Sequence, residues 1–238
     1  MSNFQILALD GGGIKGLFSA AVLTHLEEDL QINITDYFDL IVGTSTGGII
    51  ALGLGIGMRP HEIVSFYIKE APEIFPRVIR FRLRQLWRNK FDASSLENAL
   101  KECFNDKLLG KSKKRLVIPS YNLGDDDVYL FKTAHHERLK RDYKVPMWKV
   151  ALATSAAPTY FPSFRGINHI RLIDGGIWAN NPTIVGIVEA VSMLGQSLDS
   201  IKVLSLGTTD EIKIRIAKLD KGGFWQWKKA ALDVFLRA

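Results

Sequence analysis

Ser45 is the residue of this sequence whose surroundings most clearly indicate chemistry. It lies in a G-x-S-x-G pattern at residues 43–47, between a predicted short strand at residues 39–42 and an apolar run that begins at residue 49. This order predicts a nucleophile elbow, a tight strand-to-helix turn that holds a serine in strained backbone geometry above a sheet edge. Gly43 and Gly47 fit the turn because a Cβ at either position would crowd it. The pattern also occurs by chance, so the elbow needs partner residues before it indicates catalysis.

A glycine-rich loop at residues 10–16, which reads D-G-G-G-I-K-G, is the first such partner. It follows a predicted strand at residues 4–9 and precedes a predicted helix that continues to Leu30. The backbone N–H groups of such a loop can converge on an anion, here the oxyanion of an acyl-transfer intermediate. Gly12 and Gly13 are the natural donors because they carry no side chain that would block the approach.

The same loop has a second interpretation. The glycines at positions 11, 13 and 16 match G-x-G-x-x-G, the fingerprint of dinucleotide-binding folds. A nicotinamide-dependent enzyme is therefore an alternative, but the sequence shows no second nucleotide-binding half. We favour the oxyanion hole because an elbow that could use it is present.

Asp174 is the candidate base that would activate the serine, since a serine hydroxyl is a poor nucleophile alone. It follows a predicted short strand at residues 169–173 and precedes Gly175 and Gly176, which allow close approach of a substrate or of Ser45. A carboxylate can take the serine proton if burial raises its pKa towards the working pH. Taken alone, Asp-Gly is more often a turn, so the prediction depends on the elbow and the glycine loop.

The histidines are poorly placed to act as the base. In α/β-hydrolases the histidine follows the acid in the chain, whereas here no histidine follows Asp174. Two of the five, His135 and His136, stay open as alternatives. The other three are His25, His61 and His169.

Composition and charge limit the class of protein and its partners. The chain has 238 residues, of which 47% are hydrophobic and 24% charged, as expected for one α/β domain. Its net charge of +6 favours an anionic partner, either nucleic acid or an acidic lipid surface. Six basic and no acidic residues lie in segment 77–90, which is either a solvated cap or a contact with lipid or nucleotide phosphate. The single cysteine, Cys103, excludes an internal disulfide.

Two features of the sequence bear on a possible membrane location. The start of the sequence has no basic region followed by a long apolar run, so we expect no secretory signal and a cytoplasmic location. The uncharged stretch at residues 40–58 is long enough to suggest a transmembrane helix. Its glycines and hydroxyl residues instead favour a buried strand, a turn and a buried helix, which are continuously apolar in parallel α/β sheets.

The remaining elements continue an alternation of strands and helices that is typical of an α/β fold. A capping box of Ser94 and Glu97 is predicted to start a helix that ends at Phe104. Further helices are predicted at residues 58–71, 146–153 and 183–194, and further strands at 116–123, 128–133 and 201–206.

Four motifs, in this order, resemble those of the patatin-like phospholipases: residues 10–16, 43–47, 153–162 and 174–176. The resemblance covers residues 4–208 of a chain that we interpret as one domain, residues 1–238. It implies a three-layer α/β/α sandwich with a mainly parallel central sheet, and acyl hydrolysis of phospholipids or other lipid esters without a metal or other cofactor. It also implies the roles of the site residues: a catalytic dyad of Ser45 and Asp174, an oxyanion loop of Gly11, Gly12 and Gly13, and motif positions Lys15, Gly16, Gly43, Gly47, Gly175 and Gly176.

More narrowly, the chain is similar to bacterial patatin-like phospholipases of anti-phage systems, which a cyclic dinucleotide activates and which degrade the host membrane. The partners implied are membrane phospholipids, contacted peripherally at the inner face of the membrane, and a cyclic dinucleotide; no DNA partner is expected. Members of that group are often longer, so a missing C-terminal part would affect regulation more than chemistry. The alternative is a nucleotide-sensing binding module on the same scaffold, with weak or vestigial esterase activity.

Overall fold

The computed structural model describes residues 3–75, 91–209, 220, 223, 227 and 230–235. The basic segment at residues 77–90, for which we predicted either a cap or an anionic contact, lies outside the described residues.

A six-stranded sheet forms the centre of the molecule, with the strand order β4-β3-β2-β1-β6 and β5 also paired to β3. β1 pairs in parallel with β2 and β6, and β2 pairs in parallel with β3, whereas β4 and β5 run antiparallel to β3. The mainly parallel sheet is therefore confirmed. The strands are β1 (Phe4–Leu9), β2 (Leu40–Gly43), β3 (Arg115–Asn122), β4 (Asp127–Lys132), β5 (Leu172–Asp174) and β6 (Ile201–Leu206).

Helices cover both faces of this sheet, which confirms the three-layer α/β/α sandwich. Alternate side chains of β1 point to opposite faces, as the two-residue period of a strand requires. Leu7 and Leu9 pack with the first five helices, whereas Ile6 and Ala8 pack with α7. The helices are α1 (Gly16–Leu30), α2 (Thr46–Ile56), α3 (Pro60–Ile74), α4 (Ala93–Phe104), α5 (Met147–Thr154), α6 (Gly176–Ala179), α7 (Thr183–Ser192) and α8 (Ala230–Phe235).

β3 is the strand that brings distant parts of the chain together. Its first residues pair with β2, where Val42 lies opposite Val117. Its last residues pair with β5, where Asp174 lies opposite Ser120. Because β2 runs parallel and β5 antiparallel to β3, the C-terminal ends of β2 and β5 point towards each other along it.

Two local predictions were wrong. The cap of α4 is Asp92, whose side chain accepts a hydrogen bond from the Ser94 amide at 3.1 Å, and the predicted capping box of Ser94 and Glu97 does not start the helix. The strand predicted at residues 169–173 begins only at Leu172, because His169 adopts a positive φ of 60° in the preceding loop. A positive φ is incompatible with strand geometry.

The uncharged stretch at residues 40–58 folds as predicted, into β2, a turn and the buried helix α2. Among the described residues, every helix is too short or too polar to span a bilayer.

Candidate active site

Ser45 occupies the turn between β2 and α2 with φ 54° and ψ −120°, a backbone conformation that non-glycine residues rarely adopt. The turn packs directly on neighbouring backbone: a Cβ on Gly43 would overlap the carbonyl of Gly47, and a Cβ on Gly47 would overlap the carbonyl of Leu9 in β1. Only glycine fits at these two positions, so the strained conformation of the serine is held by the sheet beneath it.

Thr154, at the end of α5, fixes the backbone of the serine. The Ser45 amide donates a hydrogen bond to Thr154 Oγ1 at 3.0 Å, and that hydroxyl donates to the carbonyl oxygen of Pro119 at 2.6 Å. The threonine thus connects the elbow to β3. In the sequence, residues 153–162 stood out only as one of the four motifs of the family resemblance, and nothing in the spacing identified this hydroxyl.

The Ser45 hydroxyl donates a hydrogen bond to Asp174 Oδ2 at 2.7 Å. The other carboxylate oxygen, Oδ1, accepts from the Gly176 amide at 2.7 Å. Asp174 is 2% exposed and Ser45 9% exposed. A Cβ on Gly175 would lie 2.5 Å from the Pro119 carbonyl oxygen, so glycine at that position lets the aspartate turn pack on β3. The structure therefore brings together the two residues predicted to form the dyad.

Burial raises the pKa of Asp174 to about 6, although the hydrogen bonds from Ser45 and the Gly176 amide act in the opposite direction. The cause is the loss of water around the charged form. At neutral pH the carboxyl is therefore mostly ionised and can accept a proton, yet it is a stronger base than an ordinary aspartate. A base with a pKa close to the working pH is effective in proton transfer.

This pKa predicts the acid limb of the pH–rate profile. Because protonated Asp174 cannot accept the serine proton, kcat/KM should fall about tenfold per pH unit below pH of about 6. The measurement is hydrolysis of a soluble ester across the pH range. Burial also raises the pKa of Asp10 to about 6, so Asp10→Asn is the matched control. The limb should persist in that variant; a limb near pH 4, or one that disappears in Asp10→Asn, would contradict the assignment.

The glycine-rich loop lies against the nucleophile. A Cβ on Gly11 would be 3.3 Å from Ser45 Cβ, and one on Gly16 would overlap the Thr46 side chain. The Gly11 amide donates to the Asn180 carbonyl oxygen at 3.1 Å, so in this arrangement it is not available to an oxyanion. Within the described residues no acceptor binds the amides of Gly12 and Gly13, and Gly13 adopts a positive φ of 59°.

Lys15, half-buried, closes the short 3-10 helix Gly13–Lys15, which forms the second half of this loop. The loop is therefore a turn of helix that runs into α1, and not an extended segment.

The two histidines left open by the sequence have other partners. The ring of His135 is buried, with Nε2 2.9 Å from Glu189 Oε1 and Nδ1 2.8 Å from Thr133 Oγ1. His136 Nδ1 accepts a hydrogen bond from the Arg138 amide at 3.2 Å. Neither ring forms a hydrogen bond with the Ser45 hydroxyl, which donates directly to Asp174. Across the described part of the chain, no group of three His, Cys, Asp or Glu side chains could hold a metal ion.

Comparisons with known proteins identify the family of this chain. The family model for patatin-like phospholipase matches residues 7–187. A cGAMP-activated phospholipase of Pseudomonas aeruginosa is 36% identical over 241 residues, which cover 99% of this chain and 72% of the relative. Proteins of the same name from Vibrio cholerae and Escherichia coli are each 35% identical and cover 88% and 87% of this chain. This chain spans only 65% and 62% of the length of those two.

The crystal structure of VipD from Legionella pneumophila has a similar fold, with a TM-score of 0.55 and 14% identity, over 99% of this chain and 56% of that one. At this identity the likeness concerns the fold alone. The family match is more informative, because it begins within β1 and ends within α7 and so spans the elbow, the loop and the β5 turn. With a match over most of its length, this chain belongs to the patatin-like phospholipase family.

Proposed function

We propose that this chain hydrolyses the carboxylic esters of phospholipids, with Ser45 as the nucleophile and Asp174 as the general base. The observation that carries the proposal is the 2.7 Å hydrogen bond from the strained serine hydroxyl to a buried carboxylate whose pKa burial raises to about 6. A weak nucleophile bonded directly to a base of suitable pKa is the arrangement that covalent acyl transfer requires.

In the first half of the proposed reaction Asp174 takes the proton of the Ser45 hydroxyl while the serine oxygen attacks the ester carbonyl carbon. The carbonyl oxygen then carries the negative charge. The amides of Gly12 and Gly13 and the N-terminal end of α2 would stabilise this charge. When the intermediate collapses, the bond to the alcohol oxygen breaks, Asp174 returns the proton to that oxygen, and a lysolipid leaves an acyl-serine behind.

In the second half water replaces the alcohol. Asp174 takes a proton from the water as the water oxygen attacks the acyl carbon, and the same amides stabilise the second oxyanion. Collapse breaks the bond to Ser45 Oγ, which regains a proton from Asp174, and a fatty acid is released. The dyad is thereby restored without any cofactor taking part in the proposed steps.

We infer further that the substrate is a membrane phospholipid, met from the cytoplasm at the inner face, and that a cyclic dinucleotide activates the enzyme. The support is similarity to three bacterial proteins named cGAMP-activated phospholipases, together with the net charge of +6. The alternative of a nucleotide-binding module with vestigial hydrolysis is disfavoured, because an idle site would have no reason to retain a strained serine bonded to a buried aspartate.

A fluorophosphonate probe tests the proposal directly, since it reacts with an activated serine. With cGAMP present, the wild-type protein should be labelled and should release fatty acid from phospholipid vesicles, and Ser45→Ala should do neither. Ser155→Ala is the matched control, because Ser155 is also buried but its hydroxyl donates to the Ala151 carbonyl oxygen at 2.6 Å. Labelling that survives in Ser45→Ala, or cGAMP binding without any ester hydrolysis, would overturn the proposal.

A further inference from the structure

Two large apolar side chains are exposed beside the candidate active site. Ile14, in the glycine-rich loop, is 40% exposed, and Phe18, in the first turn of α1, is 48% exposed. The loop that carries Ile14 contacts Ser45 at Gly11 and the Thr46 side chain at Gly16. The isoleucine therefore lies in a segment that packs against Ser45 at one end and against the next residue, Thr46, at the other.

The spacing of these two residues places them on one side of the chain, because residues four apart in a helical segment are neighbours. Leu17, between them, packs against the core, as do Ala20 and Leu23 further along α1. Single exposed apolar residues are common on protein surfaces. What distinguishes this pair is that it forms a two-residue apolar ridge, Ile14 and Phe18, at the edge of a site proposed to act on lipids.

The segment that carries the ridge bears little charge, in a chain whose net charge is +6. Residues 10–26 contain one basic residue, Lys15, and one acidic residue, Asp10. The acidic residues of α1 begin only at Glu27, three turns further along the helix. An apolar ridge on a weakly charged segment of a basic protein matches the composition of peripheral membrane contacts.

We propose that the ridge of Ile14 and Phe18 docks the protein on an anionic phospholipid bilayer and so brings the lipid ester to Ser45. The inference rests on the proposed function, because it names the surface that presents the substrate to that same site. A Cβ built on Gly13, at the start of the ridge, would have no atom of the described residues within 4 Å, so the chain is open on that side.

α7 supplies a matched control on the opposite face of the sheet. Ile184 is 68% exposed and Val188 55% exposed, and they too lie four residues apart. The core-facing residues of α7 pack on the other side of β1 from α1. The two pairs thus offer similar exposed apolar surface, but only the first lies at the candidate active site.

The first experiment measures binding without hydrolysis, in the Ser45→Ala background with cGAMP present. Sedimentation with vesicles of phosphatidylethanolamine and phosphatidylglycerol should show binding that weakens about tenfold or more in Ile14→Ser/Phe18→Ser, because two apolar side chains no longer enter the bilayer. Ile184→Ser/Val188→Ser should stay within about twofold of the parent, as expected for surface changes elsewhere. Equal loss in both pairs, or no loss in the first, would overturn the proposal.

The second experiment separates docking from a direct effect on the site, using the parent enzyme with Ser45 intact. The ratio of the rate on vesicles to the rate on a soluble short-chain ester should fall about tenfold in Ile14→Ser/Phe18→Ser and stay constant in the α7 pair. An equal fall on both substrates would mean that the ridge contacts the acyl chain or shapes the loop, which would overturn docking. If the wild type cleaves neither ester, the proposed function is wrong. The binding experiment does not require hydrolysis, so it still tests the docking surface separately.

Discussion

Replacing Asp174 by asparagine should leave a folded protein whose kcat is lower by about 10²–10⁴-fold, the usual contribution of a positioned general base. Asparagine keeps the shape of the side chain, and its carbonyl oxygen can still accept the 2.7 Å hydrogen bond from the Gly176 amide. The amide nitrogen would then face Ser45 Oγ and could only donate to it, so the serine could not lose its proton to residue 174.

The measurement is single-turnover hydrolysis of a soluble ester, accompanied by thermal unfolding to verify that the variant is folded. Asp10→Asn again serves as the control, because burial also raises the pKa of Asp10 to about 6. Removing that carboxyl should cost far less activity. Wild-type rates in folded Asp174→Asn would show that Asp174 is not the base and that another group activates Ser45.

Gly12→Ala should lower kcat by about 10²–10³-fold if the amides at positions 12 and 13 hold the oxyanion. A Cβ on Gly12 would overlap the Thr208 hydroxyl and lie 2.8 Å from Thr208 Cβ, so the loop must move. Movement of the donors by a fraction of an ångström weakens their bonds to the developing charge, whereas binding of the remote acyl chain is unaffected. The loss should therefore appear in kcat more than in KM.

A second substitution makes this prediction specific. Thr208→Gly removes the atoms that the new methyl group would strike, so Gly12→Ala/Thr208→Gly should regain most of the lost rate relative to Thr208→Gly alone. The comparison is a double-mutant cycle on soluble-ester kinetics. If the double variant stays as slow as Gly12→Ala, the methyl group acts by some route other than displacement of the loop.

Several strands and the elbow were predictable because local sequence patterns determine them. The predicted strands at 4–9 and 201–206 coincide with β1 and β6, and the elbow around Ser45 was visible from its glycines. The direction of β5 was not predictable. We expected Asp174 at the end of a strand in an α/β sheet, and the structure shows a three-residue strand that runs antiparallel to β3. No residue of so short a segment specifies which neighbour it pairs with.

The supporting contacts of the site were also beyond the sequence. Thr154 and Asn180 each contribute one polar group, the hydroxyl that accepts from Ser45 and the carbonyl that accepts from Gly11. Such contacts depend on how α5 and the α6–α7 connection pack, and a single threonine hydroxyl or backbone carbonyl has no characteristic spacing. The cap of α4 shows the same limit locally: Asp92 and Ser94 are both good caps, and only the folded backbone decides between them.

β3 connects the strands that carry Ser45 and Asp174 across a much shorter distance than the sequence between the two residues does. The two residues are 129 positions apart in sequence, yet β2 leaves β3 at Val117 and β5 joins it at Ser120. The positions on β3 at which β2 and β5 pair are thus only three residues apart, and this interval sets how closely the nucleophile and the base approach. Lengthening or shortening the excursion between β4 and β5 at points outside α5, whose Thr154 binds the Ser45 amide, would therefore leave that interval intact.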